Sequence, residues 1–439
     1  MNKMLYGVNN KVPFKKLFLF SLQMMLSVFV ATVLIANICG VSVSGALVGA
    51  GLATVTYIAL TGCQSPMFMS NSGAFVAPVL MALTVGGYSA VAIGGIVTCV
   101  IYCIFGFIFS KVPVSSIYKF FPKALIGSVT VIIGVNLMPF ILNYVQINGV
   151  TNGWGILIAF ITMISIALIS HYAKGTARIL PFLLGTLIGY SVAAILTLAN
   201  IYPIIDFSVF RGIGLFEIPD FAFQHFNTVS MTEMVPVIII YIAFTISAMM
   251  EALSDHAALS NIIGVDLYRK PGLNKIFYGE GAANVIGSMV GGLGICSYGE
   301  GVACVGFSKV ASTYVTGGAA FLLILLGFIS PVQAFIVSIP SCVFAGCAII
   351  LYGFIACSGI KMLQQIDLNI QKNLIIVSAV LSLGISGLAI GGETVAISAT
   401  ALALIVGIIL NFLLKEKDIK PKRGLRAKFV MDDSFSKEK

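Results

Sequence analysis

The chain has 439 residues, of which 59% are hydrophobic and only 9% charged. Soluble domains carry about 25% charged residues, so a water-soluble globular fold is excluded. The formal charge of +9 does not point to nucleic acid, because the basic residues lie in short loops and in the C-terminal tail, where the positive-inside rule puts them.

Apolar runs long enough to cross a hydrocarbon core of about 30 Å recur along the chain. Met1–Phe14 is polar and basic and lacks a signal-peptide cleavage pattern. The predicted spans of the first half are Leu17–Cys39, Val43–Gly62, a broken and small-residue-rich Pro66–Leu83, Tyr88–Ser110, Phe121–Tyr144, Gly153–Ser170 and Leu180–Ala199. A long loop, Asn200–Glu233, follows. The second half is predicted as Val235–Ser260, Ile276–Gly292, a second broken segment at Ile295–Phe307, Thr313–Ser330, Pro331–Ile355, Leu374–Ile390 and Val395–Leu414. The fold class is therefore an all-α polytopic membrane protein of fourteen segments. Its expected divisions are a first repeat (1–199), an extracellular loop (200–233), a second repeat (234–414) and a basic cytoplasmic tail (415–439).

Charge tests this count. With both termini cytoplasmic, Lys3, Lys11, Lys15, Lys16, Lys111, Lys119, Lys123, Lys174, Arg178, Arg269, Lys270, Lys275, Lys309, Lys361, Lys372 and the tail lie inside. The long loop carries Asp206, Glu217, Asp220 and Glu233 against a single Arg211. Seven spans per half invert the second half relative to the first, and such transporters set broken segments at equivalent positions around the substrate site. Ser72–Gly73 and Glu300–Gly301 are offset by 228 residues, as are Gln23 and Glu251.

Acidic residues inside a span cost at least about 2.5–3.5 kcal/mol each and mark ion or substrate paths. Glu251 and Asp255 are i and i+4 in one predicted span and share a helical face. Glu300 lies in the small-residue stretch Gly294–Val302, where irregular backbone at membrane depth has to line a cavity or be buried. His256 sits about 140° around the helix from Glu251, and its bland reading is a hydrogen-bonding neighbour. Glu280, near the start of its span, reads as an interfacial acid. His171 and His225 carry no assigned role. In the first broken segment, Asn71–Pro78, Gly73 and Pro78 leave free backbone groups for a polar, planar ligand. The nine cysteines read as reduced, buried packing residues with no metal-site spacing. Gly291–Gly294 follows a span rather than a strand, so it is not a dinucleotide loop.

At these residues the chain resembles the nucleobase–ascorbate transporter family (nucleobase:cation symporter 2), and most of all its bacterial uracil permeases. The resemblance is strongest from Glu251 to Ile360. It rests on Glu251-Ala-Leu-Ser-Asp-His256 with Asn261, Asp266-Leu-Tyr268, Pro271-Gly-Leu273 and Tyr298-Gly-Glu300. Ser312-Thr313, Gly317–Ala320, Leu351-Tyr-Gly353 and Ser358-Gly-Ile360 also fit. It implies 7+7 inverted spans arranged as core and gate domains, with short strands in segments 3 and 10. It implies substrate binding by Glu251, Glu300, Gly73, Ala74, Phe75, Tyr298, Gly299 and Gly301. Proton coupling falls to Glu251, Asp255 and His256.

The chain departs from the family pattern at Gln23-Met24, where Gln-His is usual. It departs again at Gly301-Val302-Ala303 with Ser308-Lys309, where Asn-x-Gly and a later Thr-Arg are usual, and at Gly73, where an aromatic is frequent.

The expected function is proton-coupled import of a nucleobase, uracil first, by alternating access across the plasma or inner membrane. The partners are nucleobase, protons and lipid; the driving force is the proton gradient, with no cofactor, no metal and no enzymatic chemistry. Both a monomer and a homodimer accommodate these readings. The alternatives are a xanthine or urate permease of the same family, and an anion transporter of the sulfate-carrier type.

Overall fold

The computed structural model describes residues 4–111, 122–147, 150–174, 177, 180–388, 390–391, 396–397 and 399–414. Lys3, Lys119, Arg178 and the basic tail 415–439 lie outside the described residues.

The first half contributes α1 (Phe14–Cys39), α2 (Val43–Leu60), β1 (Met69–Asn71), α3 (Val76–Lys111), α4 (Lys123–Leu137), α5 (Gly153–Tyr172) and α6 (Pro181–Leu198). The second contributes α7 (Met231–Ile263), α8 (Leu273–Gly291), β2 (Ile295–Ser297), α9 (Gly299–Ser308), α10 (Thr313–Gly327), α11 (Ser330–Ser338), α12 (Ser341–Leu363), α13 (Gln371–Ile385) and α14 (Ala399–Leu413). Seven helices among the described residues are long and apolar enough to span a membrane, and four shorter ones are apolar. Phe107, Phe160, Ile195 and Phe412 are each at least half exposed. Such side chains recur on the outer faces of these helices, as a lipid-facing surface requires and water would not tolerate.

Several predicted boundaries move. α3 runs through both predicted segments, broken at Gly86 and Gly87, where φ of 62° at Gly87 departs from the helical region. Pro331–Ile355 is not one span: α11 ends at Ser338, and α12 starts after Pro340, which has no N–H to continue a helix. Phe121–Tyr144 is interrupted at Met138–Pro139, and Glu233 belongs to the first turn of α7 rather than to the loop. The cysteines are free, but Cys63, Cys103 and Cys357 are exposed rather than buried. Cys103 and Cys357 stand on outer helix faces, where an apolar thiol meets lipid without penalty.

Packing sorts the helices into two groups. α1, α2, α3, α7, α8 and α10 pack mainly on one another, and α4, α5, α6, α12, α13 and α14 do likewise. In the first group α2, α3 and α8 meet backbone to backbone. A Cβ on Gly49 would stand 2.9 Å from the Gly291 nitrogen, and one on Gly95 would overlap Ser288. Small residues at such crossings are how helices associate without a hydrophobic driving force.

The broken segments meet in the middle of this group. β1 and β2 pair antiparallel, Met69 opposite Ser297 and Asn71 opposite Ile295. A two-stranded sheet buried in helices leaves two unpaired edges, each needing a partner. Two side chains supply them. Thr54 Oγ1 donates to Met69 O at 2.7 Å and accepts from Met69 N at 3.1 Å. Asn284 accepts from Ile295 N at 2.9 Å and donates to Ile295 O at 2.6 Å. Each strand then turns into a helix whose first turn faces the same interior space.

Candidate functional site

That space is a small cavity, partly continuous with the outside. Glu251 projects into it from the middle of α7, and Glu300 from the first turn of α9. Gly73 and Ala74 line it from the 3-10 turn after β1; Ser297, Tyr298 and Gly299 line it from the end of β2. The opposite wall is apolar except for one hydroxyl: Thr130 and Ile133 of α4 and Leu351 of α12.

The local sequence explains the exposed backbone. The turn at Gly73 is capped by Ser72, whose Oγ accepts from Ala74 N at 3.2 Å. The start of α9 has no such cap: Tyr298 makes no side-chain hydrogen bond to the first turn. Apart from that of Glu300, which its own carboxylate approaches, its first-turn N–H groups are therefore open to an acceptor in the cavity.

Asp255 lies one turn beyond Glu251 and is half-buried, with Oδ2 unpaired. A Cβ on Gly299 would stand 3.8 Å from its Oδ1, so the acid sits directly behind the glycine. His256 faces away from the cavity. It is wholly buried, donates from Nδ1 to Ala252 O at 2.7 Å, and shares a 2.6 Å hydrogen bond through Nε2 with the Tyr57 hydroxyl. Tyr57 also reaches Ser65 at 3.0 Å, which makes His256 a tie between α7 and α2.

Two further expected site residues stand outside the cavity lining. Phe75 is fully buried and stacks on Tyr241 at 6.0 Å between ring centres. Gly301 faces Phe68 and Met24: its Cβ would be 3.1 Å from Phe68 Cβ and 4.0 Å from Met24 Cε. The unusual Met24 and the unusual Gly301 are thus neighbours, the longer side chain reaching toward the missing one.

Glu280 is not interfacial. It has no exposed surface, and its carboxylate lies beside Ser297 without a hydrogen bond of full geometry to either oxygen. The physical reason is packing: α8 is clamped between α2 and α3, with Gly279 against the Tyr57 ring and Gly281 against Cys99. Two turns from its start, this helix is already enclosed. Ser247 and Ser297 are also at the site without having been singled out. Ser247 had a signal, lying four residues before Glu251 on the same face; Thr130 and Leu351 had none. Among the described residues, no group of three His, Cys, Asp or Glu side chains is placed to hold a metal ion.

The arrangement is a multi-pass helical membrane protein with a buried, acid-lined cavity between two broken segments. Its fold matches the transmembrane domain of a cyanobacterial bicarbonate transporter, BicA, with a TM-score of 0.58 at 16% identity, over 92% of this chain and all of that one. Residues 15–391 match the permease family Xan_ur_permease, and the chain belongs to that family. It is 30% identical to a uracil permease of Bacillus caldolyticus over 94% of this chain and 95% of that protein. It is 31% identical to a uracil permease of Bacillus subtilis (strain 168) over 90% and 92%. Family membership makes the protein a transporter and not an enzyme.

Proposed function

We propose that this protein imports a nucleobase, uracil in the first place, together with protons. The observation that carries the reading is the pair of carboxylates, Glu251 and Glu300, on independent elements around one cavity. Uracil presents two N–H donors and two carbonyl acceptors in one plane. Two carboxylates accept the N–H groups, and the uncapped N–H groups at the start of α9 answer a carbonyl. The relatives above are named for the same substrate.

In this reading Glu251, Asp255 and Glu280 form the path of the coupled proton, and His256 supports it through Tyr57. The chain crosses the inner membrane fourteen times as two inverted repeats, with both termini in the cytoplasm. The antiparallel pairing of β1 and β2, each leading into a half-helix, supports that symmetry. Alternating access moves the group of helices holding both broken segments against the wall formed by α4 and α12. A purine would need the space opened by Gly73, which keeps xanthine or urate as the second reading. An anion would face two carboxylates, which counts against the bicarbonate-type function of the fold relative.

The test is uptake of labelled uracil into proteoliposomes under an imposed pH gradient, with competition by a panel of bases. Glu251→Gln and Glu300→Gln are each expected to reduce uptake by at least about a hundredfold while the protein still inserts. Normal pH-dependent uptake by both variants would sink the reading; preferential competition by xanthine would select the purine alternative.

A further inference from the structure

The loop from α6 to α7 carries an apolar strand near its middle. Glu217 N donates to Phe328 O at 3.0 Å and Ser330 N donates to Leu215 O at 3.2 Å, which sets Phe216 opposite Ile329 in an antiparallel bridge. Side chains alternate along such a pairing, so Phe216 and Ile218 fall on one side and Glu217 on the other. Phe216 is 70% exposed and Ile218 77%. Single exposed apolar side chains are ordinary, but two large ones on one edge, with Ile329 beside them, mark a contact surface. The bridge also fixes the depth of this surface. Residues 328–330 follow directly on Gly327, the last residue of α10. The 15 residues of α10 rise about 22 Å, short of a hydrocarbon core of about 30 Å. The end of α10 and the strand bonded to it therefore stand at the edge of the hydrocarbon rather than above it. The outer face of α10 leads to the same place: Phe321 and Leu325, one turn apart, are exposed, and Leu325 lies in the last turn.

We infer that Phe216 and Ile218 seat this loop in the bilayer, at the boundary between acyl chains and headgroups. In the proposed orientation the leaflet is the outer one. The partner is lipid because the surface continues the lipid-facing side of α10 and lies at its depth. Glu217, on the other side of the strand, keeps to the water. The contact is apolar and asks for no anionic headgroup, since Asp206, Glu217 and Asp220 outnumber Arg211 in this loop. The strand belongs to the α6–α7 link and is bonded to the turn between α10 and α11. The bilayer, and not the protein alone, therefore holds these two links between the packing groups at one level. This goes beyond the transport reading and does not depend on the substrate.

Trp154 is the single tryptophan of the chain, so fluorescence tests the contact. Full-length protein carrying Trp154→Phe and Phe216→Trp is reconstituted in phosphatidylcholine vesicles with and without brominated acyl chains. Brominated lipid is expected to quench the emission at least about twofold, and aqueous iodide to quench it at least about threefold less than free N-acetyltryptophanamide, as for a ring at the membrane boundary. Ile218→Trp in the same background is the second site on that side of the strand and should behave alike. Both substitutions keep a large apolar side chain, so a folding failure in one leaves the other to decide. Quenching by iodide to the extent seen for the free compound, with no effect of brominated lipid, puts the strand in water and overturns the proposal. Protection from both quenchers overturns it as well, because protein, a second copy of the chain included, then covers the surface in place of lipid.

Discussion

Glu280 is a carboxylate with no exposed surface, set beside Ser297 with no hydrogen bond of full geometry to either oxygen. Burying such a group without hydrogen bonds costs several kcal/mol, roughly, so it is retained for what it does or for what it holds. Ser297 Oγ lies near both Glu280 and Asp255, and Tyr102 Oη is buried without a partner in the same part of the molecule. Glu280→Gln keeps the shape but removes the exchangeable proton. It is expected to leave insertion and thermal stability near wild type and to lower proton-driven uptake at least about tenfold. Uptake at the wild-type rate with an unchanged pH profile would make Glu280 a packing residue. The Met24–Gly301 contact has a different lesson. An asparagine introduced at 301 would begin with a Cβ already 3.1 Å from Phe68, so the family's usual residue no longer fits unless its neighbours give way.

At the scale of elements, the site depends on a sheet of three residues per strand, far too short to be stable alone. Thr54 and Asn284 act as substitutes for missing strands, each bonding both backbone groups of one residue. Asn284→Ala leaves the N–H and C=O of Ile295 unsatisfied in a buried position. A loss of about 1–3 kcal/mol is expected, read as a lower Tm in detergent and weaker uracil binding; an unchanged Tm would show that water replaces the side chain. α9 is held at its far end as well. Leu5 N donates to Lys309 O at 2.8 Å, Ala311 N to Tyr6 O at 2.9 Å and Thr313 N to Val8 O at 3.0 Å. The N-terminal residues therefore run as a strap along the turn after α9, clamping the half-helix that carries Glu300. Nothing in the hydropathy of residues 4–10 announces this, because a parallel bridge to residue 310 is a contact across some 300 positions.

At the scale of the molecule, the connection between the two chain halves is tied to the first packing group. Asp220 N donates to Ser44 Oγ at 3.2 Å, and Asn227 bonds Ser89 Oγ through both its N–H and its carbonyl at 2.7 Å. The same loop reaches the turn between α10 and α11 through Glu217 N to Phe328 O at 3.0 Å and Ser330 N to Leu215 O at 3.2 Å. Two links between the packing groups, the α6–α7 loop and α11, are thereby clasped together on one face. In the proposed orientation that face is outside. Ser208→Cys in this loop, without the native exposed cysteines, is expected to react with an impermeant thiol reagent in intact cells. Lys361→Cys is expected to react only after permeabilisation. The opposite pattern would invert the orientation.

The sequence by itself determined the membrane character, the two broken segments and the intramembrane acids Glu251, Asp255 and Glu300. Hydropathy, charge asymmetry and the cost of a carboxylate in hydrocarbon are properties of a single segment, so one dimension carries them. Tertiary structure alone decided which neighbours each segment has. It enclosed Glu280 between α2 and α3, turned His256 onto Tyr57, stacked Phe75 on Tyr241 and set Gly301 against Met24. It also brought Thr130 and Leu351 to the cavity from helices with no polar signature of a site. Which face of a helix meets which partner is settled by how closely the backbones approach, and the periodicity of one segment holds no record of the others.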